Sequence, residues 1–275
     1  MADVRGYADR SERGKLRFTG PQAGWFLHQI MTQSYEDMAP GDARDTAMLT
    51  AHGRMVGFME TVTTEDAIWA HFEPELLETF PEAIRRYVFA TQVTIDDVTD
   101  EMALVLVVGD DVPDVAGVVH RTNALGIPAA YLWVPAAEKE ETIRALKERG
   151  LPELGEDELE AIRVSNGVPR WGRDMDFKTI PQEVGIERTA VHFDKGCYVG
   201  QEAMAKINFR GKVNRRLAIL ESDATITVGD KVSSDDGKVG VVTSVARDRA
   251  LAVVKHTIEP GARVAVGDAD AKVAG

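Results

Sequence analysis

Apolar residues recur along this chain at two periods, and the changes of period mark its organisation. Lys15-Leu16-Arg17-Phe18 reads as a short strand. Gly20-Pro21 then opens a helix with proline at its first position, and Ala23, Phe26, Leu27 and Ile30 fall on one apolar face. Residues 46–52 and 55–62 alternate as two strands joined at Gly53, a hairpin, and residues 68–72 give another strand. Pro74 starts a helix whose buried face carries Leu76, Leu77, Phe80, Ile84 and Val88. Strands over 93–98 and 102–108 complete a strand–helix–strand pattern of αβ-plait type. The spacing then predicts a strand over 129–134 between helices over 115–125 and 137–149, and a third helix over 156–164. From Leu217 the texture changes to short strands (217–221, 231–233, 239–245, 250–255, 263–266). Turn signals at Asp235-Asp236-Gly237 and Glu259-Pro260-Gly261 separate some of them. That tail predicts a small antiparallel barrel. The expected division is residues 1–215, two interleaved α+β lobes, and 216–275, the barrel.

Charge narrows the function classes. The net charge of −13 argues against a broad nucleic-acid surface. Residues 138–160 hold nine acidic and four basic side chains, the pattern of a solvated helical face. Residues 195–216 reverse the sign, with Lys195, Lys206, Arg210, Lys212, Arg215 and Arg216 against Glu202 alone. Such a basic island suits either a small polyanion or a charged loop entering a strand. The start of the chain has no apolar leader segment, and the densest apolar run, 103–108, is too short to cross a bilayer, so the expected location is cytoplasmic.

Candidate chemistry concentrates around the single cysteine, in Lys195-Gly196-Cys197-Tyr198-Val199-Gly200-Gln201-Glu202. A thiol is a nucleophile or metal ligand only as thiolate, and nearby cations or a helix start favour that form. Lys195 stands two residues before Cys197 and His192 five, while Gln201 to Ile207 favour a helix that would begin just after it. The alternative is a small buried hydrophobe, as most free cysteines are. One cysteine excludes an internal disulfide framework and any Cys-rich metal site, and no metal is expected.

The Lys-Gly-Cys-Tyr-x-Gly-Gln-Glu run resembles the signature of the YgfZ-type folate-binding proteins, relatives of the glycine-cleavage T-protein (aminomethyltransferase). A second stretch, from Arg163 through Gly167, Pro169, Trp171, Gly172, Asp174 and Met175 to Pro181, Glu183 and Gly185, resembles the T-protein pattern Arg-x-x-x-Gly-x-Pro-x-aromatic-Gly-x-Asp-Met…Pro-x-Glu. The resemblance implies an α+β, three-lobed fold around a central pocket and tetrahydrofolate as cofactor. It implies Glu183 as the carboxylate for the pterin, whose two parallel N–H donors suit a bidentate acceptor. Trp171 would line the pterin slot, and His71 stands near a position used for a polar ligand contact. Lys212 and Arg215 fall in a run similar to the family's Arg-Gly…Arg-Arg and would bind the glutamyl carboxylates of a polyglutamylated tail.

The chain departs from the transferase at its catalytic aspartate. The T-protein Gly-Gly-Ile-x-Asp-Asp-Leu turn has Gly57-Phe58 in place of its acidic pair. Glu60 lies two residues on, hence on the same strand face as Phe58. Loss of the acid removes the main proton-handling group of aminomethyl transfer, so whether the chain is an enzyme is left open. Three functions stand. The first is a folate-binding protein assisting iron–sulfur cluster assembly or repair in client enzymes, with Cys197 as redox-active thiol beside the folate and Lys195 as its cation. One thiol cannot hold a cluster alone. The second is a folate-dependent one-carbon transferase or demethylase, and the third a folate-free interaction module.

Overall fold

The structure, a computed structural model, describes residues 4–110, 112–113, 117–211, 213–235 and 237–274. A five-stranded antiparallel sheet has the order β3-β4-β5-β2-β6, from β2 (Gly14–Thr19), β3 (Ala43–Leu49), β4 (Met55–Thr63), β5 (Ala67–Phe72) and β6 (Thr94–Asp97). A four-stranded sheet has the order β1-β7-β9-β8, from β1 (Gly6–Asp9), β7 (Met102–Val108), β8 (Val118–Thr122) and β9 (Ala129–Pro135). Six strands close a C-terminal barrel: β10 (Arg215–Glu221), β11 (Lys231–Ser234), β12 (Gly237–Ala246), β13 (Arg249–Lys255), β14 (Arg263–Val266) and β15 (Ala269–Val273). The expected α+β architecture with a terminal barrel is the one observed.

Side-chain alternation decides what each sheet covers. On β7, Val105 and Val107 pack with Leu132 and Leu146 of helix α3 (Lys139–Glu148), while Leu104 and Leu106 face the other way, with Trp133 and Leu159 of helix α4 (Glu156–Ser165). That sheet is therefore buried on both faces, which its unbroken apolar run reflects. The five-stranded sheet covers one face with helices α1 (Ala23–Ile30) and α2 (Phe80–Arg85). A Cβ on Gly57 would lie 2.4 Å from the Phe80 ring, so only glycine lets α2 sit that close to β4. The opposite face meets the four-stranded sheet, where Trp69 and Trp133 stack edge to face at 5.6 Å.

Two expectations are corrected. Residues 118–122 form strand β8, not part of a helix over 115–125, of which 115 and 116 lie outside the described residues. Val118 and Val119 are β-branched and pair with β9, and any side chain at Gly117 would run into the Trp133 carbonyl, 2.2 Å from a Cβ there. The helix expected from Pro74 is a single 3-10 turn at Pro74–Leu76, and α2 begins only at Phe80. Pro81 suits the first turn of a helix but cannot continue one from Pro74, and Leu77 is consequently exposed. Strands β1 and β15 were not expected from the sequence; they are fixed by pairing with β7 and with β10 and β14.

Candidate functional site

A cavity of about 820 Å³ opens between the two sheets, helix α4 and the segment that follows it. One wall is β3 and β4, through Asp45, Phe58 and Glu60, and another is β8 and β9, through His120, Thr122 and Tyr131. The third is the stretch from Arg163 to Thr189, with Trp171 and Met175 at its floor. Phe58 and Glu60 share the cavity face of β4 because a strand repeats every two residues. Positions 57 and 58, where the resemblance puts the acidic pair, are Gly and Phe, and the carboxyl group of Glu60 stands next to Phe58 along the same wall.

The polar lining is a buried network centred on Arg13. Its guanidinium donates to Glu73 Oε1 at 2.5 Å and to Glu60 Oε1 at 3.0 Å, and sits 5.5 Å from the Tyr131 ring centroid. Glu73 also accepts from Arg170 Nε at 3.1 Å, and its partners hold its carboxyl below the usual range despite burial. Glu60 behaves oppositely: burial raises it more than the shared guanidinium lowers it. Burial likewise raises Asp45, which faces Glu60 directly across β3 and β4. Glu60 Oε2 accepts from the Thr122 hydroxyl at 3.2 Å.

His71 lies one strand further on, opposite Glu60, and Lys15 opposite His71. His71 is fully buried. Its ring stands 4.3 Å from Tyr131, centroid to centroid, and its Nε2 lies 3.2 Å from His120 Nδ1. Burial keeps both imidazoles neutral, His120 at about 3. The structure thus places His120, not His71, on the cavity wall, because central strand β5 is covered by β9. Glu60, His71 and His120 offer three ligand atoms within 4.8 Å of one another. The guanidinium on Glu60 already supplies the cation there, and the two imidazoles bond each other.

The remaining predicted residues scatter. Trp171 lines the cavity and packs edge to face on Phe177 at 5.2 Å. Glu183 sits in the short helix α5 (Pro181–Val184). Its Oε2 accepts from the backbone N–H of Ile180 at 3.2 Å, a cap on its own helix, while the following Val184 and Gly185 line the cavity. Helix α6 (Glu187–Ala190) follows and packs on β3. Lys195 does not sit beside the thiol as its cation: its buried ammonium donates to the carbonyls of His28, Met31 and Gln33, at the end of α1 and just beyond it, and burial pushes it down to about 8.

Cys197 is exposed, not a buried hydrophobe, and precedes helix α7 (Gln201–Arg210) as expected. Gly200 docks this helix on Leu49 and Thr50, at the end of β3 opposite to the cavity-lining Asp45. Cys197 is not among the residues that line the cavity. Arg215 is exposed on β10, away from the cavity lining, and Lys212 lies outside the described residues.

Half of the second motif is a joint rather than a ligand site. The buried Arg163 donates to Asp174 Oδ2 at 2.6 Å and to Ser244 Oγ of the barrel at 2.7 Å. Asp174 Oδ1 accepts from Thr243 and Ser244, also on β12. The row Asp45, Glu60, His71, Lys15 escaped sequence reasoning. The signal in each strand was an ionisable residue, not distinguished by its own strand's pattern from the other polar residues there.

Comparison with known proteins follows the same lines. The profile of the GCVT N-terminal domain matches residues 2–128. A candidate chloroplastic transferase of Arabidopsis thaliana is 24% identical over 86% of this chain, which spans only 60% of that protein. An aminomethyltransferase of Rubrobacter xylanophilus is 27% identical over 95% of this chain and 79% of its own length. The crystal structure of the glycine cleavage system aminomethyltransferase T from Bartonella henselae superposes with a TM-score of 0.86 at 15% identity, covering 98% of this chain and 85% of that one. The chain is related to the aminomethyltransferases and has their fold. Among the described residues no helix is long and apolar enough to cross a membrane.

Proposed function

We propose that this chain is a YgfZ-type tetrahydrofolate-binding protein of the cytoplasm that assists iron–sulfur cluster assembly or repair in client enzymes. The observation that carries the folate reading is the central cavity, whose volume of about 820 Å³ suits a ligand of that size. Its walls are those of the aminomethyltransferase fold. Trp171 gives the pterin an aromatic surface. Glu183, one residue from the lining, supplies a carboxylate for the pterin N–H donors by exchanging its capping bond for them. Exposed Arg121 and Arg188 on the lining serve the tail carboxylates better than Arg215. When bound, tetrahydrofolate supplies a carrier for one-carbon units. Phe58 at the position of the transfer acid supports an accessory role over aminomethyl transfer. The exposed Cys197 supports a thiol that meets a protein client from outside, apart from the folate.

Calorimetric titration of the reduced protein with tetrahydrofolate tests this. Micromolar binding is expected, weakened about tenfold or more in Glu183→Ala, the worth of a charge-assisted bond. Cys197→Ser should leave folate affinity unchanged while abolishing rescue of an iron–sulfur enzyme's activity in cells lacking the protein. No binding, even of a polyglutamylated form, overturns the folate reading in favour of an interaction module. Glu60 favours a second reading, a folate-dependent one-carbon transferase or demethylase. Turnover of a methyl donor with catalytic folate would establish it.

A further inference from the structure

Four strands of the central sheet carry a continuous row of ionisable side chains on the face turned to the cavity and the second sheet. Asp45 on β3 faces Glu60 on β4, Glu60 faces His71 on β5, and His71 faces Lys15 on β2. Directly opposed residues on neighbouring strands share a face and lie within contact range. The outer end of the row, Asp45 and Glu60, lines the cavity. Behind it, His71 and Lys15 are fully buried.

Charge around this row does not balance if every carboxyl is ionised. Glu73 has three guanidinium groups within 4 Å, from Arg13, Arg170 and Arg10. Among the described residues the one guanidinium paired with Glu60 is the second arm of Arg13, already committed to Glu73, while Arg121 and Arg188 on the lining are exposed to solvent. Asp45 stands opposite Glu60, while its neighbour Arg44 pairs with the exposed Asp37. Lys15 cannot compensate, because its ammonium donates to the Ser11 and Arg13 carbonyls. His71 Nδ1, 3.9 Å from Glu60 Oε1, and His120 belong to neutral rings, and the remaining neighbours, Tyr131 and Thr122, are neutral. Two carboxyls opposed across neighbouring strands, one half-buried and one buried, with a single guanidinium arm on Glu60 alone, retain a proton, because like charges at close range with little water between them resist double ionisation.

We propose that Glu60, opposed by Asp45, is the proton-exchanging group of this cavity, taking a ligand that bears hydrogen-bond-donating ring nitrogens. The proton sits on Glu60 Oε2, since Oε1 faces the guanidinium. Thr122 Oγ1, held by the backbone N–H of Ala124 at 3.0 Å, fixes the direction of that oxygen. A ligand N–H brought to Glu60 replaces the proton, which leaves through Asp45 to solvent. A carboxyl two residues beyond Phe58 thus gives the cavity an acid–base group the sequence had seemed to lose. The identification of the ligand as a reduced pterin rests on the folate reading above, but the shared proton does not.

Infrared spectra of the free protein through neutral pH test the pair without any ligand. A protonated-carboxyl stretch that disappears as pH rises, and is absent in Glu60→Gln, is the expected result. Absence of such a band overturns the proposal, as does a band kept in Glu60→Gln and lost only in Asp45→Asn. Tetrahydrofolate titrations in buffers of different ionisation enthalpy then count protons. Close to one proton released near pH 7 is expected from the wild type, and weaker binding with none released from Glu60→Gln. Binding with the same proton count in both proteins overturns the exchange. If the band is present and tetrahydrofolate does not bind, the shared proton stands and the folate reading falls.

Discussion

Three backbone carbonyls at and just beyond the end of α1 converge on one ammonium, that of Lys195. Helix ends leave such acceptors without partners, and a cation there also opposes the helix dipole. Lys195→Met should therefore cost about 3 kcal/mol, the order expected for orphaned buried acceptors, read from urea denaturation. The same change should leave tetrahydrofolate affinity nearly unaltered. The motif around Cys197 was legible as a unit, but its lysine serves the architecture. Nothing in a one-dimensional pattern tells a lysine that activates a thiol from one that turns inward. Glu60 gives a residue-scale pH dependence. Its folded carboxyl titrates above its unfolded one, so the stability it contributes is complete in acid and is lost as pH rises through its folded range. Between pH 4.5 and neutrality, wild type should lose stability relative to Glu60→Gln, and thermal melts of the two proteins across that window check it. Glu73 acts with the opposite sign at lower pH, because its carboxyl is held below the ordinary range.

Among elements, α7 shows how tightly one position can be specified. Gly200 caps it at φ +88°, and a Cβ there would meet the Thr50 carbonyl at 2.6 Å and Leu49 Cβ at 2.9 Å. Gly200→Ala should cost about 1–2 kcal/mol from the left-handed backbone alone, with the clash on Thr50 and Leu49 added to it, and lift the helix from the β3–β4 hairpin. Faster hydrogen exchange confined to residues 197–210 and 49–54 would report it. The hairpin, α1, α3, α4 and most barrel strands were legible because each carries its own period. Strand β8 was not, since an edge strand of five residues defined by β9 offers little pattern of its own. The Asp45–Glu60–His71–Lys15 row was not either, because strand register brings together residues up to 56 positions apart.

At the scale of the molecule, the barrel is tied to the body by a buried charge joint, Arg163 and Asp174 under Thr243 and Ser244. Asp174→Ala removes the carboxylate shared by Arg163, Thr243 and Ser244 but leaves Arg163 its pair with Glu160, so the loss should be about 2 kcal/mol, that of hydrogen bonds to a charged group. Limited proteolysis between α7 and β10 should then release a barrel fragment that wild type withholds. The cavity likewise depends on residues far apart in the chain. Its walls come from residues as distant as Arg10 and Thr189, so neither half of the chain contains it. A fragment ending at 128, the extent of the matched domain profile, would lack Arg163, Arg170 and Trp171 and present an open trough. Occupancy of the cavity is consequently a report on assembly. A ligand at one hundred times its Kd would add about 2.7 kcal/mol to the intact protein and nothing to either half, so small-molecule protection against heat can serve as a quality gauge for every variant made.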